Sequence, residues 1–193
     1  MRFTFTLLLA SVAVVALAAP VPKAARKKGD YFPTAVGTKW EYVQEGTDTL
    51  DHTREVTESD EKDGVRTAAF KWTSHANAYT KGSRYRIDAG GVWRLGWDDH
   101  TFEEPNRMFK FGAKAGESWD AGITKKKPAE FVNELGAEEE VVTPAGKFQA
   151  VSVAVKQAKG GVDTYWYAPD VGMVRWKFTT GKAIVLKAFT PGK

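Results

Sequence analysis

The chain has 193 residues, of which 42% are hydrophobic, 27% charged and 12% aromatic, and it carries a formal net charge of +4. That length and balance suit one globular domain and exclude a disordered chain. There is no cysteine, which excludes thiol nucleophiles, thiolate zinc sites, iron–sulfur clusters and disulfide bridges, so the fold must rest on its core.

The first segment reads as a targeting signal and not as structure. Arg2 gives a positive start, Leu7–Ala19 is apolar apart from Ser11, and Ala16-Leu17-Ala18 places small residues at a cleavage site. This pattern predicts a secretory signal peptide over residues 1–18, too short to span a bilayer, and an exported product, periplasmic or extracellular. Without a cysteine it is not a lipoprotein signal. A basic linker over 19–29 comes next, and then a single β domain over 30–193. Residues 1–28 hold five bases, Arg2, Lys23, Arg26, Lys27 and Lys28, and no acid; without them 23 Lys and Arg face 24 Asp and Glu. The folded body is therefore near neutral, which argues against a nucleic-acid partner. The Lys23–Lys28 cluster reads as a solvated linker, although it could also touch an anionic surface. No later stretch has the length to span a membrane.

From Asp30 onward the hydrophobic pattern has a period of two. Trp40 and Tyr42 share one face. Ala68, Phe70 and Trp72 repeat the alternation, as do Tyr85 with Ile87, and Trp93, Leu95 and Trp97 against Val92, Arg94 and Gly96. Val151, Val153 and Val155 come later, then Val174, Trp176 and Phe178, then Ile184 and Leu186. Turn signals separate these runs: Asp60-Glu61-Lys62-Asp63-Gly64, Ala89-Gly90-Gly91, Thr143-Pro144-Ala145-Gly146, Lys159-Gly160-Gly161, Ala168-Pro169-Asp170-Val171-Gly172 and Thr180-Gly181-Lys182. Helical signal is thin; Lys127–Leu135 suits a helical turn or a strand equally. The expectation is all-β: about nine to eleven antiparallel strands in one curved meander sheet or partly closed barrel. One echo suggests two similar halves. Gly37-Thr38-Lys39-Trp40-Glu41 matches Gly116-Glu117-Ser118-Trp119-Asp120 in the spacing Gly-x-x-Trp-acid.

Motifs of known chemistry are missing from the sequence. It has no Gly-x-Ser-x-Gly elbow, no phosphate-binding glycine loop and no His-Glu-x-x-His pair, and no motif calls for a cofactor. One polar constellation stands out: Asp98-Asp99-His100-Thr101-Phe102-Glu103-Glu104 directly succeeds an aromatic strand. Carboxylates beside an imidazole can hold calcium or zinc, or divide acid and base roles. Asp98, Asp99, His100 and Glu103 are thus the candidate metal ligands, set against the plainer reading of a charged surface loop.

Seven tryptophans, eleven phenylalanines and six tyrosines make the second feature. Exposed rings can stack on sugars, inward rings can line a cavity for an acyl chain, and both compete with a simple aromatic core. Trp93, Leu95, Trp97 and Trp176 are the candidate ligand-binding residues. Tyr165 and Tyr167 against Trp166 give one strand aromatics on both faces.

Three segments together resemble a group of exported bacterial β-rich proteins of unknown function: Tyr31-Phe32-Pro33 through Trp40, Thr143-Pro144-Ala145-Gly146-Lys147-Phe148, and Tyr165-Trp166-Tyr167-Ala168-Pro169-Asp170-Val171-Gly172-Met173-Val174. The resemblance implies an all-β exported domain and no catalytic residues. A looser similarity is to periplasmic lipoprotein carriers, whose curved sheets wrap a hydrophobic cavity. The leading expectation is a non-enzymatic envelope domain, structural or binding an apolar or aromatic-stacking ligand, with lipid, lipoprotein or glycan as partner. A metal-dependent hydrolase and a glycan-binding module are the alternatives.

Overall fold

The computed structural model describes residues 30–75, 79–122 and 130–193, so the expected signal peptide and linker lie outside the described residues. The first six strands are β1 (Lys39–Gln44), β2 (Leu50–Lys62), β3 (Val65–Ser74), β4 (Tyr79–Asp88), β5 (Gly91–Trp97) and β6 (His100–Lys110). The second six are β7 (Ser118–Asp120), β8 (Phe131–Thr143), β9 (Gly146–Gln157), β10 (Val162–Ala168), β11 (Gly172–Lys177) and β12 (Ala183–Thr190). All twelve belong to one antiparallel sheet, ordered β6-β5-β4-β3-β2-β1-β12-β11-β10-β9-β8-β7. No helix among the described residues is long and apolar enough to cross a membrane.

Twelve strands exceed the nine to eleven expected. β7 has three residues, too few for alternation to register, and β8 begins inside the ambiguous Lys127–Leu135 stretch, at Phe131. Elsewhere the local signals hold. Ala68, Phe70, Tyr85 and Ile87 are buried, and Asp63 and Gly64 form the β2–β3 turn with φ of 54° and 75°, the conformation of a two-residue hairpin loop.

The sheet is a meander opened at one place. Each strand pairs with its neighbour in sequence, β1 also pairs with β12, and β6 and β7 form its two ends. Those ends meet. Arg107 N donates to Ala121 O at 2.7 Å, and Arg107 O accepts from the Trp119 indole and the Asn133 amide, both at 2.8 Å. Side-chain donors thus take over where the backbone ladder stops, and the sheet curls into a nearly closed barrel.

The segment 30–33 plugs one end of this barrel. Phe32 packs 4.9 Å from the Tyr85 ring and 5.2 Å from that of Phe70, while Tyr31 stacks on Phe109 at 5.0 Å. Asp30 anchors the plug: its Oδ2 accepts from Arg66 at 2.6 Å, its N donates to Asp170 Oδ1 at 3.1 Å, and its O accepts from Asp170 N at 2.9 Å. Gly172, beside Pro33 and the Trp40 indole, takes φ +87°, a backbone conformation that other residues adopt only under strain. Two distant signatures, Tyr31-Phe32-Pro33 and Ala168–Gly172, therefore meet in one corner.

Candidate ligand cavity

Above the plug the barrel is not filled. A cavity of about 380 Å³ lies between Phe70, Trp72 and Tyr85 on one side and Val153, Tyr165 and Trp176 on the other. It is partly open to solvent, and Trp97, 40% exposed, is among its wall residues. A second hollow of about 520 Å³ lies at the plugged end, but its polar groups are already satisfied: Asp30 pairs with Arg66, and Lys110 with Glu117. The first cavity differs because four of its wall residues carry a polar atom without a partner. Arg94 Nε, Trp176 Nε1, Asn106 Oδ1 and Asn133 Oδ1 are buried without a hydrogen-bond partner. A mostly apolar hollow, rich in aromatic rings and with a few polar groups, is the usual form of a small-molecule site.

Of the candidate ligand-binding residues, the structure brings Trp97 and Trp176 to this cavity, whereas Trp93 and Leu95 are absent from its walls. A β-bulge separates them. The β4–β5 register slips between Arg84 and Tyr85, and opposite β6 it slips between Arg94 and Gly96, which leaves Leu95 unpaired. One extra residue reverses the facing of the positions beyond it, so Arg94 and Trp97 both look inward. Trp93 sits between the Arg86 and Arg107 guanidinium groups, at 5.1 and 4.6 Å, and donates to Asp88 at 3.1 Å.

Trp176 stacks on Tyr165 at 5.1 Å and lies 4.2 Å from the Phe178 ring. Tyr165 and Tyr167 line the cavity, while Trp166 carries Arg175 at 4.9 Å and donates to Glu139. Burial pushes the Tyr165 and Tyr167 hydroxyls well above the usual phenol range, so both remain donors. His52 closes one wall. It stacks on Tyr42 at 4.6 Å and donates from Nδ1 to Asp51 at 2.8 Å; burial lowers its pKa to about 4, so it is neutral near pH 7.

Of the candidate metal ligands, Asp98 and Asp99 form the β5–β6 turn and His100 and Glu103 lie at the start of β6. Asp98, Asp99, His100 and Glu103 are exposed, and Asp98, at φ 46°, accepts from Gly82 N at 2.6 Å. Among the described residues no three His, Asp or Glu side chains gather closely enough to hold a metal ion.

Sequence reading missed Arg54, Arg94, His52, Asn106 and Asn133. The available signal was polar residues interrupting apolar strands, such as Arg94 within Val92–Trp97. Nothing local distinguished a residue facing a cavity from one facing solvent.

Fold and site together define an all-β domain whose curled sheet encloses an aromatic cavity. Two solved structures share this fold: a Bacteroides fragilis protein with a YmcC-like fold, named as exported (TM-score 0.56), and a Parabacteroides distasonis protein named as a lipoprotein (TM-score 0.51). Each is 16% identical, over 84% of this chain and 99% of the other. At that identity the likeness is one of fold. No protein-family model and no curated protein matches the sequence.

Proposed function

We propose that this chain is an exported binding domain that holds an apolar or aromatic-stacking ligand inside its barrel. The observation that carries the reading is the aromatic cavity of about 380 Å³, partly open and with Trp97 in its wall. An apolar wall left open to water is unfavourable, and a ligand that covers it removes that surface from solvent. Export is supported by the signal-like pattern of Arg2 and Leu7–Ala19 and by the names of the two fold neighbours. Periplasm or cell exterior is the compartment proposed, with lipid, lipoprotein or glycan as the source of the ligand.

The test is native mass spectrometry of the mature protein, purified from the periplasm without detergent or chelator and compared with its denatured mass. An excess of lipid size, lost on denaturation, is the expected result. An excess of metal size would move attention to the Asp98–Glu103 segment. No excess, with no uptake of a neutral apolar dye, would leave a structural envelope module.

A further inference from the structure

Resting on that reading, we infer that the ligand is a single-chain amphiphile whose anionic head group is seated on Arg54 and Arg94. Both side chains line the cavity, and neither has an ion-pair partner among the described residues. Of the other arginines, Arg66, Arg86 and Arg175 pair with Asp30, Asp88 and Glu45, and Arg84 and Arg107 donate to the Thr101 hydroxyl at 2.9 Å and the Gly90 carbonyl at 2.6 Å, outside this cavity. Arg54 is met by neutral groups, the Tyr85 hydroxyl at 3.3 Å, the Tyr42 hydroxyl and the Phe70 face at 5.4 Å. Arg94 lies over Trp97 at 5.3 Å and Phe102 at 5.6 Å, with its Nε buried and without an acceptor.

A half-buried guanidinium on a cavity wall with no anion beside it attracts one, and its fork of donors matches a carboxylate or phosphate. The cavity does not supply that anion itself. Among the described residues the one acidic wall residue is Asp163, whose Oδ1 accepts from Thr179 N at 2.8 Å and from Thr179 Oγ1 at 3.0 Å. His52 is neutral and tied to Asp51. The rest of the wall, Phe70, Met108, Phe131, Val153, Val155 and Tyr165, offers apolar surface for a tail. A volume of about 380 Å³ lies at the low end for ligand pockets, which favours one chain over a two-chain lipid.

The probe is the neutral dye N-phenyl-1-naphthylamine, bound to the mature protein and then displaced by dodecanoate, dodecanol or dodecyltrimethylammonium below their micelle concentrations. Dodecanoate should displace the dye at concentrations at least about tenfold lower than the other two. Arg54→Gln and Arg94→Gln should each remove most of that preference while still binding the dye, and Arg94→Lys should keep part of it. Dodecyl phosphate matching dodecanoate would extend the head to phosphates. Equal displacement by acid and alcohol, or a preference that survives both Gln variants, overturns the inference while the cavity reading stands. A dye that never binds overturns both. The wild-type comparison needs no variant, so poor folding of a mutant does not blunt it.

Discussion

Trp40 and Trp119 are counterparts that open the two halves of the barrel. Each is buried, at 4% and 8% exposure, and each donates its indole N–H to a backbone carbonyl, Val171 at 2.6 Å and Arg107 at 2.8 Å. The correspondence extends around both corners. Gly37 and Gly116 have φ of 83° and 84°, and their N–H groups bond Val56 and Leu135 at 2.9 and 2.7 Å. Val56 and Leu135 in turn donate back to Thr38 and Glu117 at 2.9 and 3.0 Å, and each precedes a register shift in its hairpin. The short Gly-x-x-Trp-acid echo is thus one corner used twice, at the first strand of each six-strand half.

The second corner also holds the seam. Trp119→Phe removes the hydrogen bond to Arg107 O and keeps most of the ring volume, so it should cost about 1 kcal/mol. Amide hydrogen exchange should accelerate at Arg107, whose N–H bonds Ala121 across the seam. Faster exchange spread evenly over the sheet would show that Trp119 does not specifically hold the seam.

The tryptophans should separate into core and rim. Trp40→Ala deletes a buried ring and should destabilise the fold by about 3–5 kcal/mol. Trp97→Ala, at a partly exposed wall position, should change stability by less than about 1 kcal/mol and weaken dye binding severalfold. Circular dichroism melts and dye titrations of both variants give the comparison. A large stability loss at Trp97 would make it a core residue and not a rim residue.

Gly96 enables the bulge. A Cβ there would lie 2.1 Å from the His100 carbonyl oxygen, too close for any rotamer change to relieve. Gly96→Ala should therefore cost more than about 1 kcal/mol and disturb the β5–β6 register. A crystal structure of the variant should show Trp97 displaced from the cavity wall. An unchanged Trp97 position and melt would refute this role.

His52 should impose an acid limb on stability. Its pKa falls to about 4 in the fold, with burial outweighing the Asp51 hydrogen bond, whereas an unfolded histidine titrates near ~6.5. Between these values the unfolded chain binds more protons, so stability rises with pH. The contribution is complete above about pH 6.5 and is lost as the pH falls toward 4; it amounts to about 3 kcal/mol at most. Urea midpoints of wild type and His52→Gln between pH 4 and 7 measure it, with the shallower slope expected in the variant.

Local sequence was enough to establish the class of fold and most of its hairpins. Period-two alternation in Ala68-x-Phe70 and Tyr85-x-Ile87, and turn residues such as Asp63-Gly64, act over a few neighbouring positions, so a short pattern suffices to read them. The repeated corner was legible too, because Gly37 and Gly116 meet the same backbone demand. Which residues face the cavity was settled in three dimensions. Arg94 shares the inward face of Val92, with Trp93 on the other face between Arg86 and Arg107; the extra residue at Leu95 then shifts parity and turns Trp97 inward as well, and a slip of one residue leaves no mark in composition. Closure was likewise beyond local reading. Arg107 meets Ala121 because twist accumulated over twelve strands brings β6 back to β7, and Asp30 finds Arg66 and Asp170 across the barrel.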